Sequence, residues 1–114
     1  MTIQEFYLRV GGSWEDTLRR LPGEAFVRRF LLRYLQDPSF DQLERAVEGA
    51  DWEAAFRAAH TLKGVAQNLG LGDLYQAAAG LTEALRPGRP LEDPEALAAV
   101  RAAQERTVEA IREM

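Results

Sequence analysis

The sequence predicts an all-α fold: an antiparallel up-and-down four-helix bundle with short N-terminal helices covering one end. Three observations lead there. No stretch shows clean period-two alternation. Ala, Leu, Glu and Arg, all good helix formers, dominate the chain. Apolar residues recur three and four apart, in segments separated by Gly, Pro and Asp signals.

Taken in order, Ile3, Phe6, Tyr7 and Val10 make a first short amphipathic segment that Gly11-Gly12 ends. Ser13 can cap a second piece holding Trp14, Leu18 and Leu21, which Pro22-Gly23 breaks. The next helix spans residues 24–35, where Phe26, Val27, Phe30, Leu31, Tyr34 and Leu35 give a broad apolar stripe. Asp37-Pro38 then reads as an N-cap followed by proline at the first helical position. Phe40, Leu43 and Val47 form the buried stripe of the helix that follows, and Gly49 ends it.

Asp51 can cap a central helix, with Glu53 in its first turn to favour the dipole. That helix runs to Leu69, with Gly70 as its stop. A tight link leads into residues 73–85, with Leu74, Ala78, Leu81 and Leu85 inward. Residues 86–90 (Arg-Pro-Gly-Arg-Pro) are the one clear loop. The last helix, residues 94–112, carries Leu97, Val100, Val108 and Ile111, with Gln104 interrupting its stripe. Residues 1–23 are expected to be a helical extension packed on a bundle of residues 24–114, the whole forming a single domain without repeats.

Composition narrows the function classes. At 114 residues the chain can bury a core without staples. Its 46% hydrophobic and 28% charged residues are ordinary globular usage rather than disorder. There is no cysteine, which excludes disulfides and thiolate metal sites and fits a cytoplasmic setting. A net charge of −4 argues against general nucleic-acid binding. No apolar run approaches the roughly 20 residues a membrane helix needs, and the start at Met1 lacks the basic and apolar stretches of a signal peptide. A monomer is expected, either stand-alone or excised from a larger kinase.

The central helix holds the only histidine, His60. At about 100° per residue, Trp52, Ala55, Ala59, Leu62, Ala66 and Leu69 cluster on the far side of the wheel. Phe56, Arg57, Lys63, Gly64 and Gln67 all lie within about 60° of His60. The histidine is therefore expected on the solvent face. Gly64 stands four residues on, although glycine inside a helix costs about 1 kcal/mol relative to Ala. The missing side chain would let a partner or a phosphoryl group come close. Phe56 could anchor that partner.

Several chemistries drop out. One His with no Cys does not make a metal site. Ser13 and Ser39 are the only serines, both at helix starts, so no nucleophile triad is in view. Gly11-Gly12 and Gly70-Leu71-Gly72 lack the strand-turn-helix context of a phosphate loop. What remains is histidine as a covalent carrier, since imidazole is largely neutral and nucleophilic near pH 7. Lys63, one turn on, can donate a charge-assisted hydrogen bond to phosphoryl oxygens. No cofactor is expected on this chain, and a partner would bring the Mg²⁺ and the acceptor carboxylate.

The run His60-Thr61-Leu62-Lys63-Gly64-Val65-Ala66-Gln67-Asn68-Leu69-Gly70 closely resembles the signature of histidine phosphotransfer (HPt) domains. The likeness extends to Phe40, Leu43 and Ala46, to Ala50-Asp51-Trp52, to Ala58-Ala59, and to Leu81 and Glu83, covering about residues 24–112. The resemblance implies a phosphoprotein of two-component His–Asp phosphorelay, a carrier rather than an enzyme. By it, His60 accepts a phosphoryl group from a receiver-domain aspartate and passes it on. Lys63 and Gly64 would accommodate the phosphoryl group. Phe56, Arg57, Gly64, Gln67 and Asn68 would form the docking face for receivers of response regulators or hybrid kinases. Thr82 stands where a longer amide often orients the histidine ring. The alternative is a helical module that docks on receivers through the same face without carrying phosphate.

Overall fold

Seven helices make up the computed structural model, which describes residues 1–86 and 88–114. They are α1 (Ile3–Arg9), α2 (Trp14–Arg20), α3 (Glu24–Tyr34), α4 (Ser39–Glu48), α5 (Trp52–Leu69), α6 (Gly72–Ala84) and α7 (Pro94–Arg112). No strand occurs among the described residues. Pro87, inside the expected 86–90 loop, lies outside them.

Local chemistry sets most helix ends. The Ser13 hydroxyl accepts from the Asp16 N–H and starts α2, and the Asp51 carboxylate accepts from the Ala54 N–H and starts α5. Asp93 caps α7 with Pro94 in the first turn. Gly70 ends α5 in the left-handed region at φ 72°, where a side chain would be strained.

Two ends differ from the sequence reading. Helix α4 begins at Ser39, so Pro38 is its N-cap rather than its first residue; Asp37 still accepts from the Ser39 N–H, at 2.8 Å. After α4, it is Ala50 that takes the left-handed conformation, at φ 54°, while Gly49 stays at −85°. The Asp51 N–H reaches back to the Ala46 carbonyl at 2.9 Å, and this closing bond puts the reversal at residue 50.

The packing follows chain order: α4 lies on α5, α5 on α6, and α6 on α7. Glu44 on α4 accepts two hydrogen bonds from Arg101 on α7, at 2.9 and 2.8 Å, which brings the last helix beside the first of that set. Five helices rather than four follow Gly23, because α3 is a separate helix against α5. The Tyr34 hydroxyl of α3 donates to Gln104 on α7. This accounts for the polar residue that interrupts the α7 stripe.

The apolar core draws buried residues from every helix except α2. It includes Phe6 and Tyr7 of α1, Val27 and Leu31 of α3, Leu43 of α4, Leu62 of α5, Leu74 and Leu81 of α6, and Val100 and Ile111 of α7. Each such side chain contributes roughly 1.5–3 kcal/mol on burial. Ala55, Ala59, Ala66 and Ala78 are also fully buried, and their small size lets α5 sit close to its neighbours. In α2 the fully buried residue is Thr17, whereas Leu18 is 45% exposed, the reverse of the expected pattern. Thr17 is tolerated there because its hydroxyl donates to the Ser13 carbonyl at 2.9 Å.

The N-terminal helices cover the α5–α6 corner. The Tyr7 hydroxyl donates to the Leu69 carbonyl at 2.7 Å, and the Asp73 N–H donates to the Val10 carbonyl at 3.0 Å. Arg20 donates to the Gln67 carbonyl at 3.0 Å. The last turn of α5 thus finds partners outside its own helix.

Candidate functional site

His60 sits near the middle of α5 and is exposed. Its placement follows from its neighbours. Ala55, Ala59, Leu62 and Ala66 are all fully buried, which fixes the rotation of the helix and turns residue 60 to solvent. Both ends of α5 are held, by the Asp51 cap and by the Gly70 reversal with its added partners.

Around His60 the structure gathers most of the residues the sequence singled out. Phe56 is half-buried, and its ring centroid lies 6.1 Å from that of His60, tilted by 43°. Lys63 is half-buried and Arg57 is exposed. Among the described residues neither of these cations forms an ion pair. Gly64 is exposed, and a Cβ built on it would meet nothing within 4 Å. The open space expected beside the histidine is therefore present, and no neighbouring helix explains this glycine.

Two docking candidates lie farther along α5, toward its C-terminal end. Gln67 is exposed, but its carbonyl is taken by Arg20, and it borders the cleft between α5 and the α1–α2 turn. Asn68 is exposed and borders a groove with Phe30, Arg33 and Asp37 of α3 and its C-terminal link. Arg57 lines a shallow groove with Gln42 and Arg45 of α4.

Thr82 is a correction. It is fully buried in α6, and its hydroxyl donates to the Ala78 carbonyl at 2.7 Å. The donor is spent inside the helix rather than on the imidazole, and Thr82 makes no hydrogen bond to the ring among the described residues. A threonine is too short to reach past its own turn and takes the nearest acceptor.

One residue at the site escaped the sequence reading. The Arg86 guanidinium carbon lies 4.9 Å from the centroid of the Phe56 ring, and its Nε donates to Glu83 at 3.1 Å. The turn after α6 folds back on α5, so Gly88 and Arg86 border the same hollow as Glu53, Phe56 and Arg57. The available signal was a basic residue just past a helix C-terminus, where the dipole favours it.

The arrangement can do one kind of chemistry well. It offers an exposed imidazole, a cation one turn on, open space above a glycine, and further arginines at the margin. Among the described residues no cluster of three or more His, Asp or Glu could hold a metal ion, and no helix is long and apolar enough to cross a membrane. A family model described as Hpt domain matches residues 35–113, the span that contains α4 to α7 and the whole site. No curated protein and no solved structure matches the chain.

Proposed function

Because the chain belongs to the Hpt domain family, whose members take part in His–Asp phosphorelay, we propose that it is a histidine phosphocarrier using His60. The observation that carries this reading is the exposed imidazole in mid-α5, with Lys63 one turn on and nothing within 4 Å above Gly64. The closure of α4 to α7 through Glu44 and Arg101 supports an up-and-down four-helix bundle as the scaffold.

In the proposed step, a ring nitrogen lone pair attacks the phosphorus of a receiver phosphoaspartate. The N–P bond forms, the P–O bond to the acyl oxygen breaks, and the aspartate leaves as carboxylate with the electron pair. The proton on the other ring nitrogen stays on the ring or passes to water. Onward transfer is the same exchange in reverse, to a second receiver. Lys63 stabilises the added negative charge by charge-assisted hydrogen bonding. Gly64 leaves room for the incoming acyl phosphate. Phe56 and Arg57 meet the receiver, with Gln67 and Asn68 at the edge of the contact. The Mg²⁺ that such transfer uses belongs on the receiver. The carrier works as a cytoplasmic monomer and supplies no catalysis of its own.

The test is incubation with a phosphorylated receiver domain. Acid-labile phosphate should appear on the chain and vanish with His60→Gln. Transfer that survives this substitution overturns the reading. Tight receiver binding without transfer would favour the docking module instead.

A further inference from the structure

Helices α1 to α3 lie outside residues 35–113, and the carrier reading gives their charges no task. Residues 17–36 carry five arginines against one glutamate, a net charge of +4 in a chain whose total is −4. Two of the five are neutralised close by, Arg19 by Asp16 and Arg28 by Glu24. Arg20 and Arg33 are exposed and form no ion pair among the described residues.

Both reach the last turns of α5, from opposite sides. Arg20, at the end of α2, donates to the Gln67 carbonyl at 3.0 Å and borders the cleft beside Ala66 and Gln67. It also reaches the Asp16 carbonyl at 3.4 Å, and a guanidinium with five donors keeps room for a carboxylate. Arg33, in the last turn of α3, borders the groove beside Val65 and Asn68. Its guanidinium carbon lies 5.3 Å from the Phe30 centroid, and Phe30 packs on Phe26 with 4.4 Å between centroids. Around the helix, Ala66 and Val65 fall about 120° one way and about 140° the other way from His60. Gln67 and Asn68 stand about 10–12 Å along the axis from His60. A typical protein partner covers roughly 800 Å² of surface, a patch about 16 Å in radius. A receiver centred on His60 therefore extends to both arginines. A charge that far off is largely screened from the imidazole, since the Debye length is about 8–10 Å at physiological salt. Their charge acts on the partner.

We propose that Arg20 and Arg33 are receiver-selecting residues: from two helices outside the Hpt span, they straddle the end of α5 and engage carboxylates on the rim of a docked receiver. This rests on the carrier reading. The receiver selected is one with acidic side chains at matching distance from its phosphoaspartate, on two sides. In a chain of net charge −4, these cations offset a general repulsion from acidic partners at the one place where contact is made.

The experiment uses the whole chain and a panel of receiver domains of differing surface charge, phosphorylated with acetyl phosphate. Transfer is followed against receiver concentration. Arg20→Ala and Arg33→Ala should each lower the second-order rate for acidic receivers about two- to fivefold, the range for one exposed charge contact. The rate at saturating receiver should stay unchanged, because neither cation serves the phosphoryl group. The loss should shrink in high salt and be absent for receivers without acidic rims. Arg20→Lys and Arg33→Lys should keep most of the rate. Arg20 also holds the Gln67 carbonyl, so urea denaturation is run alongside; Arg33, whose side chain rests on Phe30, tests docking without that bond. Arg106→Ala makes the same change in net charge on an exposed position of α7, which packs on α6, and should leave the rate unchanged. Equal losses in Arg33→Ala and Arg106→Ala would overturn the proposal, as would an unchanged rate in Arg20→Ala or Arg33→Ala. The two readings fail separately. Transfer with a second-order rate indifferent to Arg20 and Arg33 sinks only this inference. Receiver binding by calorimetry that weakens in both variants, while no phosphoryl group moves, sinks only the carrier reading. A chain that binds no receiver sinks both.

Discussion

Gly12 and Gly70 pass each other backbone to backbone, with no room for a side-chain carbon: a Cβ on Gly12 would fall inside the Gly70 carbonyl oxygen. Gly72 stands in the same relation to Gly11. These four glycines seat the α1–α2 turn directly on the α5–α6 corner. Gly12→Ala and Gly72→Ala should each destabilise the fold by about 1–3 kcal/mol through overpacking. Urea denaturation measures this. Substitutions with no effect would mean that the corner is looser than the backbone contacts indicate.

A change in the opposite direction is expected at the α4–α5 link. Ala50 occupies the left-handed region at φ 54°, which costs an L-residue about 1 kcal/mol or more. Ala50→Gly should therefore stabilise the protein, by somewhat less than 1 kcal/mol once the flexibility of glycine in the unfolded chain is counted. Thermal denaturation of this variant should show a higher midpoint than that of the parent.

Gly64 and Gly80 make a matched pair. Both are exposed within helices, and a Cβ on either would meet nothing within 4 Å. Alanine at either site should stabilise by roughly 0.5–1 kcal/mol. Only bulk at residue 64 should obstruct a receiver. Gly64→Leu should slow phosphoryl transfer strongly while Gly80→Leu leaves it unchanged, a contrast that transfer kinetics would show directly.

Tyr7 gives a dependence on pH. Burial pushes its phenol up to about 12 from the ordinary 10.0, against smaller opposing effects of Thr17 and Arg20. A phenol with a raised folded value keeps its proton after the unfolded chain has lost it. The stability it contributes is complete below 10.0 and is lost as pH climbs to about 12. Tyr34 is raised too, by burial and then by the Asp37 charge, and adds to the same alkaline decline. Tyr7→Phe should cost about 1–2 kcal/mol near neutral pH, because the Leu69 carbonyl loses its donor. It should also flatten the alkaline decline in stability without abolishing it. Urea titrations across the alkaline range test both.

Helix starts at Ser13 and Asp51, and the stop at Gly70, were legible in the sequence because caps act within a few residues. The exposure of His60 was legible too, since the alanines and leucines around it fix one face. Threonine misled the reading. Thr17, Thr82 and Thr107 are all buried, and each donates to a carbonyl four residues back. A helical wheel that treats threonine as polar moves such residues outward, and the family resemblance, which placed Thr82 where a longer amide often stands, does not show that a threonine there turns its hydroxyl to its own helix. The seating of α1–α2 depends on backbone contacts between residues 58 or more positions apart, as between Gly12 and Gly70, and no local pattern encodes them. Arg86 was missed for the same reason, because its neighbour Phe56 is distant along the chain.

The imidazole projects from one side of a single helix anchored at both ends. On the proposed reading, a carrier built this way would have one berth. Donor and acceptor must occupy it in turn, so the rate of relay depends on how quickly each departs. Adding more unphosphorylated receiver would first speed the flow and then choke it, as idle copies crowd out the phosphorylated donor.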